Sequence, residues 1–249
     1  MNALLPTANL YSALAFAETN RLFDRLEQIY AALPPTTCKM CGECCADPPP
    51  AALIEYLHVY RYIRDRLPEK QPELLEKTVA FFYLELVEPQ QHCPFLGADN
   101  RCVIYEVRPF ACRLYGLINE EKSPVRRDRE ALAELAEKYR EEYGIVLPQA
   151  VVERRTPACS DVVPAGAPRI SARRAENLLT ALLMLDAQIV NPELVLERIT
   201  MLPLPLHLAI TVLNDGLRAR RFEVMKTYLE TGSRALVDKY SRRAAGFRF

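Results

Sequence analysis

Glycine is scarce in this 249-residue sequence, with only eight, and no G-x-G-x-x-G or P-loop pattern occurs. Neither a dinucleotide site nor a nucleoside-triphosphate site is therefore recognisable. Histidine is rarer still: His58, His92 and His207 are scattered along the chain, so no Ser/His/Asp arrangement can be read. Net charge is missing as well. Lys+Arg and Asp+Glu stand at 32 each, which leaves no overall field to attract nucleic acid or an anionic membrane. No apolar run has the length that spans a bilayer. Met1 to Ala17 lacks the basic segment of a signal peptide, and Glu18 and Arg21 soon interrupt it. Together these absences predict a cytoplasmic protein with no nucleic-acid and no membrane partner. Paired arginines do occur, at Arg126-Arg127, Arg154-Arg155, Arg173-Arg174, Arg220-Arg221 and Arg242-Arg243, and are read as solvated helix faces.

What is present is an ordinary globular composition, 50% hydrophobic and 26% charged. A chain of this length can bury a core without metal or disulfides. The periodicity predicts a mainly α protein. One amphipathic helix is expected over 8–33, with Leu10, Leu14, Leu22, Phe23, Leu26, Ile29, Tyr30 and Leu33 on its apolar stripe, stopped by Pro34-Pro35. Helices are expected at about 51–67 and 72–87, separated by Pro68 and Pro72. Another is expected over 125–143, ended by Gly144. From Ser171, a candidate N-cap, to about 243 the pattern is helical throughout. Between these lie a loop, Thr36 to Pro50, and a short β-hairpin over 91–107 built on a Gly97-Ala-Asp99-Asn100 turn. We expect a cysteine-cluster domain over 1–165 and a helical C-terminal region over 166–249.

The eight cysteines are the chemical signal. In a reducing compartment thiols are not structural disulfides by default, so a cluster of them points to metal or redox chemistry. Cys38-x2-Cys41-x2-Cys44-Cys45 places thiolates three residues apart in one loop, where they can turn to one centre as in the runs that wrap a cubane. Gly42 between two of them suits a backbone with positive φ. Cys93-Pro94 is the candidate remote ligand. Cys44 and Cys45 are adjacent, so one of them can turn toward a further group with Cys102, Cys112 and Cys159. Cys159 balances evenly between a ligand and a small buried hydrophobe. Zinc is the alternative to an iron–sulfur cluster, but no second C-x2-C knuckle follows. His92 lies beside Cys93 and reads as a polar surface residue; His58 and His207 read as structural.

Cys38-Lys-Met-Cys41-Gly-Glu-Cys44-Cys45, Cys93-Pro-Phe-Leu, and Cys102-Val-Ile-Tyr105-Glu-Val-Arg108-Pro109-Phe-Ala-Cys112-Arg113 together resemble the YkgJ-type CxxCxxCC cysteine-cluster family. Flagellin lysine N-methylases are more distantly similar. The resemblance covers roughly residues 36 to 116 and takes in Cys159, about a third of the chain. It implies zinc or iron chelation by the matching cysteines and no single reaction. Within the last stretch, Arg108 and Arg113 are candidates to hydrogen-bond cluster sulfur or carboxylates and so tune a potential.

Three functions remain at this level. The first is an iron–sulfur protein, most simply 4Fe-4S, with a redox, sensing or cluster-transfer role and a protein partner. The second is a zinc-stabilised protein-interaction module. The third is a cluster-containing enzyme such as a protein lysine methyltransferase, with catalytic residues unidentified. The C-x3-C-x2-C run of a radical enzyme using S-adenosylmethionine is absent, because Pro48 stands where its last cysteine would.

Overall fold

The computed structural model describes residues 7–118, 129–154, 159, 162–164, 169–189 and 201–249. The fold is mainly α, as expected. The helix predicted over 8–33 is two, α1 (Thr7–Thr19) and α2 (Leu22–Ala31), broken at Arg21 in the left-handed region at φ 55°. The reason is the phase of the apolar stripe. Helix α1 buries Leu10, Leu14 and Ala17, and continuing that spacing would turn Asp24 and Gln28 inward. The break rotates the chain so that α2 buries Leu22, Phe23, Leu26 and Tyr30 instead.

Two later helices, α3 (Leu53–Arg66) and α4 (Gln71–Leu84), form the centre. Both are apolar over most of their circumference, as helices surrounded by neighbours must be. Every residue from Leu53 to Tyr60 is buried, and so is every one from Thr78 to Leu84. Pro72 sits in the first turn of α4, where its missing N–H costs nothing. After a cysteine-bearing stretch come α5 (Phe110–Leu114), α6 (Arg129–Tyr143, followed by Gly144 at φ 63°), α7 (Gln149–Val152) and α8 (Ala172–Asp186). The C-terminal helices are α9 (Leu204–Val212), α10 (Asp215–Arg218), α11 (Arg221–Thr231) and α12 (Ala235–Ala244). Helices α1 and α2 pack on α3, and α8 packs on α2 and α3; α11 and α12 pack on α4, while α9 touches both α3 and α4. Residues from all of these helices join one hydrophobic cluster. The division expected at 165/166 falls outside the described residues.

Two small antiparallel sheets bind distant parts of the chain together. β1 (Thr36–Thr37) pairs with β3 (Val163–Pro164), and β2 (Pro50–Ala52) pairs with β4 (Met201–Pro203). Prolines at 50, 164 and 203 lack the N–H that would extend the ladders, so the sheets stay short. The hairpin predicted over 91–107 is reduced to one bridge, Leu96 opposite Cys102, around a turn in which Asn100 takes φ 60°. A 3-10 turn at Tyr105–Val107 begins too soon for a longer ladder. Among the described residues no helix is long and apolar enough to cross a membrane.

The arginine pairs behave unequally. Arg220 bonds Glu223 on the surface, whereas Arg221 is buried, bonding Glu85 at 2.7 Å and lying over the Phe82 ring. Arg126, Arg127 and Arg155 lie outside the described residues. Ser171 caps α8 as predicted, its hydroxyl accepting from Arg174 N at 3.3 Å.

The last residue of α8, Asp186, caps α3 from another helix: its carboxylate accepts from Ile54 N at 2.7 Å. Burial pushes its pKa up to about 7, against the bonds from the Ile54 and Leu53 amides that favour the anion. The folded state thus holds this proton over a range where the unfolded chain has lost it. Its contribution to stability is complete below pH 4 and is lost as pH rises through 7. The change is on the order of 4 kcal/mol. Denaturant titrations at pH 4, 5.5 and 7.5 should show this loss in the natural protein and a flatter profile in Asp186→Asn. Equal slopes would mean that Asp186 is ionised throughout.

Candidate metal centre

Eight free thiols surround one cavity. Cys38, Cys41, Cys44, Cys45, Cys93, Cys102, Cys112 and Cys159 all line a space of about 90 Å³. A single ordered water needs about 10–15 Å³ on the same measure, so the space exceeds what one small ion requires.

The fold explains how sequence-distant cysteines meet. β1 delivers Cys38 to the cavity, and its partner β3 brings in the chain around Cys159 and Val162. The loop then curls through Met40 at φ 55° and Gly42 at φ 79° into a 3-10 turn, Glu43–Ala46, that carries Cys44 and Cys45. A Cβ on Gly42 would stand 3.2 Å from the Leu96 side chain, so close packing and positive φ both call for glycine there. The Met40 amide donates to Cys38 Sγ at 3.4 Å. Cys93 N donates to Cys45 O at 2.7 Å, tying the second cysteine segment to the first. Cys102 sits in the bridge to Leu96, and Cys112 in α5. On the far side β4 feeds Leu204 and Pro205 of α9 into the wall.

The thiols interact with one another. Cys44 donates to Cys45, and Cys45 donates to Cys93. The first of these bonds holds the Cys44 proton, and burial adds to it, so its pKa is raised. For Cys45 the bond from Cys44 pulls down, but the bond to Cys93, burial and the charges of Cys93 and Cys102 outweigh it, and the net shift is upward. Burial raises Cys102 to about 11 and pushes Cys112 well up. These groups keep their protons at neutral pH until a cation displaces them. Among the described residues no three His, Cys, Asp or Glu side chains converge closely enough to hold a single ion as they stand. The thiols ring a space instead of meeting at a point.

Among the described residues no carboxylate and no imidazole lines the cavity. His92 is exposed with Nδ1 2.7 Å from Gln90 O. His58 and His207 are buried elsewhere, and burial lowers each to about 4. The described donor set is eight thiols, soft ligands suited to zinc, copper(I) or iron–sulfur clusters more than to magnesium or calcium.

Among the described residues Arg108 is the single cationic side chain in the wall. Its guanidinium lies 3.9 Å over the Tyr105 ring, and its Nε is buried with no partner. Arg113 does not line the cavity. It lies over Tyr30, 4.1 Å from the ring centroid, and bonds the carbonyls of Arg108, at 2.8 Å, and Glu106. Arg113 thereby fixes the turn from which Arg108 projects.

Two supporting residues escaped the sequence reading. Arg154 donates to Ala46 O at 2.8 Å and to Pro89 O at 2.5 Å, clamping the turn that carries Cys44 and Cys45 to the chain leading into Cys93. Its place in an arginine pair gave no sign of this. Glu55, in the first turn of α3, is 2% exposed. Its Oε1 accepts from Tyr30 OH at 2.8 Å and Phe110 N at 2.5 Å, and its Oε2 accepts from Ala52 N at 2.9 Å. It so holds the chain after Cys45 against the start of the helix with Cys112. A signal was available: glutamate at the third helical position commonly reaches back to the backbone before the helix.

Residues 37–132 match the CxxCxxCC family, whose description is "Putative zinc- or iron-chelating domain". The chain matches no curated protein and no solved structure. The family match and the thiol-lined cavity agree on metal binding.

Proposed function

Since residues 37–132 match the CxxCxxCC family, we propose that the cavity holds an iron–sulfur cluster of the 4Fe-4S type and serves a redox, sensing or cluster-transfer role. The observation that carries this reading is the shape of the thiol set. Four thiolates on one zinc, each at about 2.3 Å, would draw together to within about 4 Å of one another and leave no space between them. Eight thiols around a cavity of about 90 Å³ favour a group with several metal atoms. Cys38, Cys41 and Cys44 supply the run of three, and Cys93 the remote fourth ligand. When bound, such a cluster supplies a site that accepts and releases one electron. Arg108 then sets a positive charge against the thiolates, and its unpartnered Nε has a sulfur to bond. Cys41 alone among the eight is exposed, which supports contact with a protein partner at that rim. The role fits reducing surroundings such as the cytoplasm.

Metal analysis after anaerobic purification tests the proposal. The protein should be brown, with iron and acid-labile sulfide in equal amounts. Colourless protein with stoichiometric zinc would replace the cluster by a zinc site. Cys41→Ser should lose most of the bound metal in either case, and undiminished metal would remove Cys41 from the ligand set.

A further inference from the structure

We propose that Cys45 and Cys93 form a reversible disulfide when the cavity is free of metal, closing the site by oxidation until a thiol reductant reopens it. The inference goes beyond the nature of the metal and does not depend on it. Of the eight thiols, these two belong to segments far apart in sequence yet are joined directly at the backbone, by the Cys93 N to Cys45 O bond of 2.7 Å, and both side chains line the same cavity. The backbone bond brings the two main chains as near as a disulfide requires, without help from the sulfurs. Arg154 reinforces this by bonding Ala46 O and Pro89 O on either side of the pair. Neither cysteine is fully buried, and both border the cavity, so a small oxidant can reach them.

Cys44 is the rival, because it adjoins Cys45 in the chain and lines the same cavity. Adjacent residues share a planar peptide, and bringing both sulfurs to bonding distance across it distorts the peptide or the disulfide. The Cys45–Cys93 bond needs no such distortion.

The chemistry balances with a small-molecule disulfide as oxidant. The thiolate of one cysteine attacks a sulfur of that disulfide and expels a small thiolate, leaving a mixed disulfide. The second cysteine, giving up its proton as it attacks, displaces the other small thiolate from the protein sulfur of the mixed bond. The two thiol protons end on the two released thiols, and the two electrons lost by the cysteines reduce the oxidant. With both sulfurs tied, the cavity loses two donors. Metal-bound thiolates are not free to attack, so a loaded site is protected.

The test uses full-length protein stripped of metal under reducing conditions, then exposed to glutathione disulfide. Free thiols are alkylated, and the linkage is mapped by digestion after Glu43 and fragmentation between Cys44 and Cys45. The expected result is a loss of two alkylatable thiols per chain, with Cys45 linked to Cys93 as the dominant species and none in Cys45→Ser. Zinc ion uptake by the oxidised protein should fall and return on addition of dithiothreitol, while protein loaded before oxidation, with Cys93 held by metal, should form no Cys45–Cys93 link. A dominant Cys44–Cys45 link, a scrambled mixture, or eight thiols still alkylatable would each overturn the proposal. Finding zinc in place of iron and sulfide in the purified protein would overturn the cluster reading and leave this one standing.

Discussion

Replacing Glu55 by alanine is expected to cost about 3–5 kcal/mol of folding stability and to empty the metal site. The truncation strips three donors at once, Tyr30 OH and the amides of Phe110 and Ala52, all in a region closed to water. A buried donor left unsatisfied costs about 1–3 kcal/mol, and one water in the vacated space cannot serve all three donors. Burial raises the Glu55 pKa, while the two amides, Tyr30 and the nearby Arg113 pull it down. The lost function follows from position. Ala52 lies two residues past the Pro48–Pro50 stretch that closes the first cysteine loop, and Phe110 opens α5 with Cys112. Without Glu55 nothing else bonds these two amides together. Glu55→Gln keeps an acceptor for Tyr30 and Phe110 and should lose about a third as much, since only Ala52 then faces an N–H. Tyr30→Phe removes one bond and should cost about 1 kcal/mol with metal retained. Urea denaturation and metal content on the three variants check the order. If Glu55→Ala bound metal as fully as the natural protein, the carboxylate would not be what joins the two ligand segments.

How far the sequence reached varied with the range of the interaction. Local signals served well. Pro68 and Pro72 mark the gap between α3 and α4, Gly144 ends α6, and Ser171 caps α8, because each acts on the backbone within a turn of itself. The joint between α1 and α2 was missed for a physical reason. Apolar residues recur at near-helical spacing on both sides of Arg21, and only the direction of burial, set by α3, shows that the stripe changes phase. The hairpin was over-read in the same way, since its length is limited by the 3-10 turn that follows and not by its own residues.

The site was legible as a set of residue types more than as a geometry. Spacing marked the Cys38–Cys45 loop, and Gly42 takes the positive φ that the loop needs. Spacing could not reveal that all eight thiols border one space, because that depends on sheets pairing residue 36 with 164 and residue 50 with 203. Such pairs of two or three residues carry no hydrophobic periodicity. Arg108 and Arg113 looked alike in sequence, both beside Pro109 and Cys112. They separate in space because an aromatic ring holds each one, Tyr105 at the cavity and Tyr30 away from it.

Gly116 offers the sharpest test of Cys159, whose role spacing left evenly balanced. Gly116→Ala is expected to destabilise the protein by about 1–3 kcal/mol and to withdraw Cys159 from the cavity. Gly116 takes φ 77°, and an added Cβ would lie 2.7 Å from Val162 Cβ and 3.2 Å from Cys159 Cβ. The first contact cannot be relieved by rotating a side chain, since Val162 Cβ is fixed to its backbone. Cys159 and Val162 must move, and Val162 adjoins the short β1–β3 pair. If Cys159 is a ligand, Gly116→Ala and Cys159→Ser should both lower metal affinity, and the double variant should lower it no further than either alone. If Cys159 only fills space, Cys159→Ser should retain full metal content while Gly116→Ala is merely less stable. The comparison separates ligand from packing because alanine at 116 moves the thiol without changing its chemistry, whereas serine at 159 changes the chemistry with almost no change in volume.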